Sequence, residues 1–283
     1  MTPSPARLTL ALSLCLLSGM APAAEKGQPP PAPAIKQENP ATKTPARRNI
    51  GGPGDYGLRE KLMKRLTGEP ALSKAGWRLV LVNGGAMFSG TVPTWSLKRR
   101  ALVMAGTVRG IINVTDQMQV PRGNVTDEQI LTAITQQLKD LKEAFGIGTL
   151  EVEVHDGVVT LLGSVKDFAT RVRVEEVAGS VGGVTQIVNR MRPANAPSGE
   201  GDAALRSAVA SYLRNPREFP FHGEVEVKVK DATAVLTGRL PYFLARQQAG
   251  TMTALVGGVE AIENRITVDP SVIIQAITVR ELP

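Results

Sequence analysis

Two groups of basic residues and one tryptophan are the side chains whose chemistry most clearly suggests binding: Lys61, Lys64, Arg65, Lys98, Arg99, Arg100 and Trp95. Each lysine or arginine that lies near an anionic bilayer contributes about 1 kcal/mol to binding. Tryptophan favours the level of the lipid headgroups. We therefore predict that these residues bind anionic phospholipid headgroups, and the alternative is that they form a solvated basic face.

The histidines and the paired glutamates, which could bind a metal or act as acid and base, do not have the spacing that these roles require. His155 adjoins a predicted turn and His222 lies in a loop, whereas a zinc site needs several close cysteine or histidine ligands. Glu151 and Glu153 occupy the polar side of a predicted strand, which indicates a solvated face rather than an acid-base pair. A Ser/His/Asp arrangement stays open because its members need not be adjacent in sequence. We predict no enzymatic activity, no metal and no cofactor.

Two features point weakly to nucleic acid. The formal net charge is +7, and residues 179–182 have the GXXG form of the loop that grips the nucleic-acid backbone in KH domains. The end of a helix explains these glycines more simply, because Gly182 and Gly183 are suited to a left-handed stop. The N-terminus also predicts export, and exported proteins seldom meet nucleic acid. We therefore predict no nucleic-acid partner.

The N-terminus has the three parts of a secretory signal peptide. Arg7 supplies positive charge, Leu8–Leu17 is apolar, and Ala21–Ala23 resembles a small-residue cleavage site. We therefore predict a signal peptide over residues 1–24, cleavage near Ala23 or Ala24, and a periplasmic location. No later segment is long and apolar enough for a transmembrane helix, so none is expected in the mature chain.

The only cysteine, Cys15, lies inside the apolar stretch of the signal peptide. Acylation of Cys15 would make the protein a lipoprotein, but Leu14 is bulky where a small residue is expected. We therefore predict no lipidation, and a mature chain without a disulfide or a thiol nucleophile. Residues 25–54 are rich in proline and alanine, which is typical of an extended linker.

A repeat of about 75 residues organises the rest of the chain. One set of glycines occurs in FSGTV, LLGSV and LTGRL, and a second set follows at a constant distance in VRGI, VGGV and VGGV: Gly90, Gly163 and Gly238, then Gly110, Gly183 and Gly258. Two landmarks that keep one separation in every copy define modules. We place three modules at residues 55–121, 122–193 and 202–268, followed by a tail at 269–283.

The sequence pattern of the second module predicts its elements in order. A helix capped by Thr126 and Gln129 ends near residues 144–146, and strands 150–154 and 158–165 follow, joined by a turn at Asp156–Gly157. A second helix, capped by Asp167, leads to a third strand at 184–191. Thr126 and Gln129 match a capping box, and an Asp-Gly turn suits positive φ at both central positions. The predicted fold class is therefore α+β: three tandem αββαβ modules, each with two helices packed on a three-stranded mixed sheet.

A glycine inside a strand is tolerated where another backbone element approaches closely. We therefore predict that a helix crosses the sheet at Gly90, Gly163 and Gly238. In the third module, Asp202 is predicted to cap the first helix, and Pro241 to begin the second. The apolar tail at 269–283 either packs on the third module, which we favour, or adds as a strand to a partner protein.

The order helix-strand-strand-helix-strand, with a glycine in the second strand and a V-x-G-V turn before the third, resembles the BON domain. The second module matches in DGVVTLLGSV and VGGVTQIVN, and the third in ATAVLTGRL and VGGVEAIEN. The first module departs most, because Asp116 stands where Asn189 and Asn264 stand in the other two. The resemblance covers about residues 55–268.

The resemblance implies a periplasmic or envelope module that contacts membranes or phospholipids without catalysis, as in osmotic-stress, outer-membrane and mechanosensitive or secretion-related proteins. The expectation is therefore an exported, non-enzymatic envelope protein whose modules contact anionic phospholipid surfaces, in envelope maintenance or osmotic stress. The alternative is a periplasmic protein-interaction scaffold or chaperone-like binder without lipid affinity. The sequence leaves the lipid, the protein partner and the oligomeric state open.

Overall fold

The computed structural model describes residues 35–36, 53–141, 147–273 and 276–282. The predicted signal peptide, most of the predicted linker and the predicted helix end near residues 144–146 lie outside these ranges. Within the described ranges, no helix combines the length and the apolar composition that crossing a bilayer requires.

The helices and strands follow one another in three similar groups. The first group is preceded by β1 (Ile35–Lys36) and contains α1 (Pro53–Thr67), α2 (Pro70–Ser73), β2 (Gly76–Val82), β3 (Gly85–Thr91), α3 (Trp95–Gly106) and β4 (Asn113–Gln119). The second contains α4 (Asp127–Leu141), β5 (Ile147–His155), β6 (Val158–Val165), α5 (Phe168–Ser180), β7 (Gln186–Asn189) and β8 (Arg192–Pro193). The third contains α6 (Asp202–Arg214), β9 (Gly223–Lys230), β10 (Thr233–Leu240), α7 (Phe243–Leu255), β11 (Ala261–Asn264) and β12 (Thr267–Val268), and β13 (Ile277–Glu281) follows it.

Each module builds its sheet in the same way. The two hairpin strands pair antiparallel, and the chain then crosses over through a helix and returns parallel to the second hairpin strand. The resulting orders are β2-β3-β4, β5-β6-β7 and β9-β10-β11, with β8 and β12 continuing along β6 and β10. The predicted α+β class, with three tandem modules of helices on mixed sheets, is confirmed.

The first helix of each module buries apolar side chains that recur every three or four residues: Leu62 and Leu66 in α1, Ile130, Ile134 and Leu138 in α4, and Val209 and Leu213 in α6. Burial of one side chain of this size contributes about 1.5–3 kcal/mol. The periodic apolar face of each helix therefore fixes its position on the sheet, and the cores form one cluster per module.

Two of the predicted helix caps are present in the second module. The amide of Thr126 donates to Gln129 Oε1 (3.0 Å), and the amide of Gln129 donates to Thr126 Oγ1 (3.3 Å). Asp167 caps α5 by accepting a hydrogen bond from the amide of Thr170 (2.8 Å). The capping box and the aspartate cap are therefore confirmed.

An aspartate in the first helix of each module binds the tip of the following hairpin. Its carboxylate accepts hydrogen bonds from two turn amides: those of Asn83 and Gly84 for Asp55, of Asp156 and Gly157 for Asp127, and of Asp231 and Ala232 for Asp202. The prediction that Asp202 caps α6 is wrong, because Gly201 occupies the N-cap position. Hydrogen bonds to a charged acceptor are about twice as strong as neutral ones, so this aspartate clamp ties helix to hairpin.

Two other local predictions need correction. Helix α7 begins at Phe243 with Tyr242 as its N-cap, so Pro241 lies before the helix rather than at its first position. Helix α5 ends at Ser180, and Val181 at its C-cap is extended. Gly183 does have a left-handed φ of 88°, but it lies in the loop beyond the helix and does not form the predicted stop.

The hairpin turns have the predicted geometry. Asp156 and Gly157 both have positive φ, at 49° and 74°, as a tight two-residue turn requires. The third module reaches the same conformation without a glycine, since Asp231 and Ala232 have φ of 49° and 57°. The hydrogen bonds that Asp202 accepts from both turn amides offset the backbone strain that a left-handed alanine carries.

The strand glycines have a different role from the predicted one. Gly90, Gly163 and Gly238 have left-handed φ values of 99°, 122° and 119°. A β-carbon at each would meet the backbone of the paired hairpin strand: Gly76 for Gly90, Thr149 for Gly163 and Glu224 for Gly238. The prediction of a crossing helix is therefore wrong. These glycines allow the central strand to take a left-handed conformation where the backbone of the neighbouring strand approaches closely.

The helices approach the second set of glycines instead. Gly110, Gly183 and Gly258 also have positive φ. A β-carbon at each would lie against an apolar side chain of the first helix: 2.5 Å from Leu58 of α1, 3.0 Å from Ile130 of α4 and 2.9 Å from Leu205 of α6. The close helix contact predicted from the first set therefore occurs at the turn before the third strand.

The third module receives an extra strand on each edge of its sheet. β1 pairs parallel with β11, and β13 pairs parallel with β9. Val279 is buried in the resulting core, and the carboxylate of Glu281 accepts a hydrogen bond from Ser207 Oγ in α6 (2.8 Å). For the described residues 276–282, internal packing of the tail on the third module is confirmed.

Candidate functional site

The predicted basic residues lie in two separate groups on the first module. Lys61, Lys64 and Arg65 are on one side of α1, where their spacing places them away from the buried Leu62 and Leu66. The second group is at the start of α3, in the first turns after its N-cap Thr94: Trp95, Lys98, Arg99 and Arg100. The two groups have different surroundings, and these surroundings decide what each can bind.

The first group lines an open groove of about 710 Å³ between α1 and the end of α3. The lining residues are Lys61, Lys64, Arg65, Gly68, Glu69, Met104, Val108 and Arg109. Four of these side chains are cationic and one is anionic, so the groove carries excess positive charge. Met104 and Val108 add an apolar floor. The arrangement suits a ligand with an anionic group and an apolar portion.

The cations of the groove differ in how they are held. Among the described residues, Lys61 and Lys64 form neither a salt bridge nor a side-chain hydrogen bond. Arg65 donates to Thr107 Oγ1 (3.2 Å). Arg109 donates to the carbonyl oxygen of Val272 (3.0 Å), and its guanidinium lies 5.9 Å from the ring centroid of Tyr242. Two lysine charges are therefore available to an anion, beside two arginines held in place.

Arg109 was not among the predicted site residues. It immediately precedes Gly110 of the VRGI motif, whose repeat position indicated a turn and gave no sign of the groove. Its two contacts come from Tyr242 of the third module, which precedes α7, and from Val272 of the tail that follows that module. Sequence spacing therefore gave no signal for Arg109, because its position depends on how two distant modules meet.

The cations of the second group already form ion pairs within the protein. Lys98 pairs with Asp116 (2.8 Å) in its own module, and Arg99 pairs with Glu175 (3.3 Å) of the second module. Arg100 lies between Glu69 (3.2 Å) and Glu176 (3.2 Å). The hydrogen bond with Glu176 is the main cause that raises the pKa of Arg100. An external anion would have to compete with these carboxylates.

Trp95 lies at the junction of the first two modules. Its ring contacts Gly179 of α5 so closely that a β-carbon on this glycine would meet it, and it packs in the cores of both modules. The Arg99 guanidinium lies 5.7 Å from the Trp95 ring centroid. Gly179 therefore permits α3 and α5 to approach each other, and it belongs to an interface between modules.

A smaller cavity of about 360 Å³ opens beside this junction, lined by Trp95, Lys98, Arg99, Leu102, Asp116, Thr185 and Gln186. The first module also meets the third, because a β-carbon on Gly106 of α3 would lie 3.1 Å from Leu244 of α7. The second module meets the third where Glu218 accepts from the Phe168 amide (3.1 Å) and Asn195 Nδ2 (2.7 Å). The first module therefore contacts both of the others.

The remaining polar candidates lie at the surface. His155 is exposed and 3.3 Å from Asp156, and the ring of His222 lies edge-on to Tyr242 at 5.8 Å. Glu151 and Glu153 are exposed on β5. Over the described part of the chain, no three His, Cys, Asp or Glu side chains come together as a metal site would require.

Comparison with protein families gives three matches to the BON domain, at residues 54–122, 126–195 and 201–270. No curated protein matches the chain. Two solved structures of CdsD, a structural protein of the type III secretion system of Chlamydia trachomatis, share 16% identity with it at a TM-score of 0.21. One comparison covers 80% of this chain and 93% of the other, and the second, with the C-terminal domain, covers 78% and 100%.

Proposed function

Because the chain belongs to the BON domain family, we propose that it is an exported, non-enzymatic envelope protein whose modules contact anionic phospholipid surfaces, in envelope maintenance or osmotic stress. BON domains are associated with membrane or envelope-related binding, and BON proteins are typically periplasmic or envelope-associated. The family is generally non-enzymatic. The lipid contact itself is our inference from the first module.

The groove between α1 and α3 is the observation that carries this proposal. It presents Lys61 and Lys64 without salt-bridge partners among the described residues, beside Arg65 and Arg109. A phosphodiester headgroup would occupy the cationic wall, and the apolar floor would contact the start of an acyl chain. The residues Lys98, Arg99 and Arg100 support it less, because carboxylates already neutralise them.

Vesicle flotation tests the proposal. We expect the full-length protein to float with vesicles that contain phosphatidylglycerol and not with pure phosphatidylcholine, and the binding to weaken as salt rises because surface attraction is screened over a Debye length of about 8 Å. The variant Lys61→Glu/Lys64→Glu/Arg65→Glu should bind roughly a hundredfold more weakly, at about 1 kcal/mol per lost cation.

A matched variant separates the groove from the overall charge. Lys139→Glu/Lys228→Glu/Lys230→Glu makes the same change in net charge at exposed positions of the second and third modules. We expect this variant to float as the unaltered protein does. Equal losses in the two variants would show that the net charge matters and the groove does not, and equal binding to both lipids would refute the proposal.

A protein-interaction scaffold without lipid affinity is the second candidate. The observation that favours it is the exposed apolar face of the first sheet, where Val80 and Val82 stand 47% and 41% exposed. Exposed apolar patches often mark protein interaction sites. A protein that fails to float with either vesicle would favour this candidate.

A further inference from the structure

Exposed large apolar side chains are concentrated in the first module. Apart from Ile273, those in the described part of the chain all belong to this module: Tyr56, Val80, Val82, Met87 and Ile112. Val80 lies opposite Met87 in the hairpin register, and Val82 lies one step nearer the turn. These three side chains therefore share the sheet face that the helices leave open.

The other two modules carry charged or polar residues at the same places. The strand glycines fix the equivalence, because Trp77, Leu150 and Val225 lie opposite them in the three hairpins. On this alignment Val80 corresponds to Glu153 and Lys228, and Val82 corresponds to His155 and Lys230. Charged residues on exposed strands discourage pairing with other chains. Near the turn, the first module lacks this protection.

The first module also has an open sheet edge. β2 pairs with β3 on one side, and no strand of the described residues pairs with its other side, called here the β2 edge. In the third module the equivalent edge of β9 is filled by β13, which runs parallel from Ile277 beside Gly223 to Glu281 beside Val227. The same edge of the same fold therefore already accepts a parallel strand in this protein.

The pairing of β13 indicates which strand would fit the β2 edge. Arg280 lies in register with Glu226, and the residue equivalent to Glu226 in the first module is Arg78. The tail of a second copy would therefore place Arg280 beside Arg78. Two of the three partners of Glu281 in α6 change as well: Ser207 and Arg214 correspond to Glu60 and Thr67, whereas Arg206 corresponds to another arginine, Arg59. Charge therefore disfavours the chain's own tail.

We propose that the β2 edge is a strand-addition site for an extended segment of a partner protein, with apolar residues at alternate positions and an acidic residue opposite Arg78. Main-chain hydrogen bonds to β2 provide affinity in this mode of recognition, and alternate side chains provide specificity. The apolar side chains lie beside Val80 and Val82, and the acidic one pairs with Arg78. The inference is independent of lipid binding.

The test uses two synthetic peptides that carry residues 276–282 followed by Thr-Val, one otherwise unaltered and one with Arg280→Glu. In the register of β13, Leu282 then lies beside Val80 and the added valine lies beside Val82. Each is titrated into isotope-labelled full-length protein, and backbone amide shifts are followed by NMR. We expect the shifts to concentrate in β2, and the Arg280→Glu peptide to bind about threefold to tenfold more tightly, as one cross-strand charge pair predicts. The protein variant Arg78→Glu should reverse this preference.

A pair of protein variants controls for nonspecific binding. Val80→Lys removes an apolar contact and places at the β2 edge the residue type that β9 carries there, Lys228, so the variant should fold. Because β9 accepts β13 on a strand that carries this lysine, we expect Val80→Lys to weaken binding several-fold without abolishing it. Glu153→Lys, at the equivalent position of β5, should leave binding unchanged. Shifts outside β2, or a preference that Arg78→Glu leaves unaltered, would overturn the proposal. A dimer that Val80→Lys dissociates would also overturn it, because the occupant would then be a second copy.

Discussion

The first and third modules share a framework and differ at their surfaces. Both have an aspartate clamp, a left-handed glycine in the central strand and a second glycine beneath the first helix. The third module fills both edges of its sheet with the chain's own strands, β1 and β13. The first module leaves the β2 edge unpaired in the described structure, exposes valines beside it and lines a cationic groove on the helix side.

This difference separates the positions that the shared fold fixes from those that it leaves free to vary. The framework residues are fixed by backbone geometry, because left-handed φ and buried amides tolerate few side chains. Surface positions carry no such constraint, so Val80 in one copy can be Lys228 in another. The third module therefore closes both edges of its sheet with this chain's own strands, whereas the first leaves accessible the two surfaces to which we assign binding in our proposals.

The largest expected effect tests the shared framework. Gly163→Val places a branched side chain at φ 122° and against the backbone of Thr149. Backbone strain and overpacking each cost about 1–3 kcal/mol, so we expect the free energy of unfolding to fall by about 3 kcal/mol in urea denaturation. Gly182→Val is the control, since no atom lies within 4 Å of that β-carbon position. An unchanged midpoint for Gly163→Val would contradict this account of the strand glycines.

The aspartate clamp should have the next largest effect. Asp55→Ala removes a carboxylate that accepts from the amides of Asn83 (2.7 Å) and Gly84 (2.9 Å), and leaves the Gly84 amide buried without a partner. We expect a loss of about 2 kcal/mol. Asp202→Ala should cost at least as much, because its turn holds Ala232 at positive φ. Faster amide exchange confined to the turn would check the mechanism, and unchanged exchange there would refute it.

Much of the fold could be predicted because the strongest signals are local. The four-residue spacing of Ile130, Ile134 and Leu138 places them on one buried helix face, and the Asp156-Gly157 turn fixes a hairpin. The error over the strand glycines has a physical cause. A glycine shows that something approaches closely, but not whether it is a helix or the neighbouring strand, and here the approach is made by the strand.

The candidate site could be predicted only in part. The spacing of Lys61, Lys64 and Arg65 along α1 was enough to place them together. The consecutive residues Lys98, Arg99 and Arg100 look equally basic in sequence, yet two of them meet Glu175 and Glu176 of another module. No local pattern encodes these pairs. The groove and the junction become distinguishable only when the modules are assembled.

A smaller effect on stability than that of the aspartate clamp is expected from the ion pair at the junction of the first two modules. Arg99 and Glu175 form a partly buried pair (3.3 Å), whereas Arg239 and Glu224 form a more exposed pair (3.5 Å) inside the third module. In double-mutant cycles of thermal unfolding, with Arg→Ala and Glu→Gln, we expect a coupling of about 1 kcal/mol for the first pair and near zero for the second. Equal couplings would show that burial at the junction adds nothing.

The smallest expected effect is the loss of stabilisation when Glu281 is protonated, which would loosen β13 and leave the third module with an open sheet edge like that of the first. The hydrogen bond from Ser207, and then Arg214 and Arg206, lower the pKa of Glu281, which joins β13 to α6. The folded state therefore favours the carboxylate, so its stabilisation is present at neutral pH and is lost as the pH falls through the lowered pKa. Because Glu281 is only partly buried and its ion pairs are screened by solvent, we expect less than about 1 kcal/mol.

Amide exchange, corrected for its intrinsic pH dependence, would report this loss as faster exchange in β13 and at the outer edge of β9 in acid. Ser207→Ala should move the onset to higher pH, because the pKa of Glu281 would then be lowered less. The amides of β2, which has no such strand in the described structure, should not respond. If β13 exchanged equally at all pH values, its hold on the third module would not depend on Glu281. If β13 loosened in acid, the edge of β9 that it covers would become as open as the β2 edge is at neutral pH.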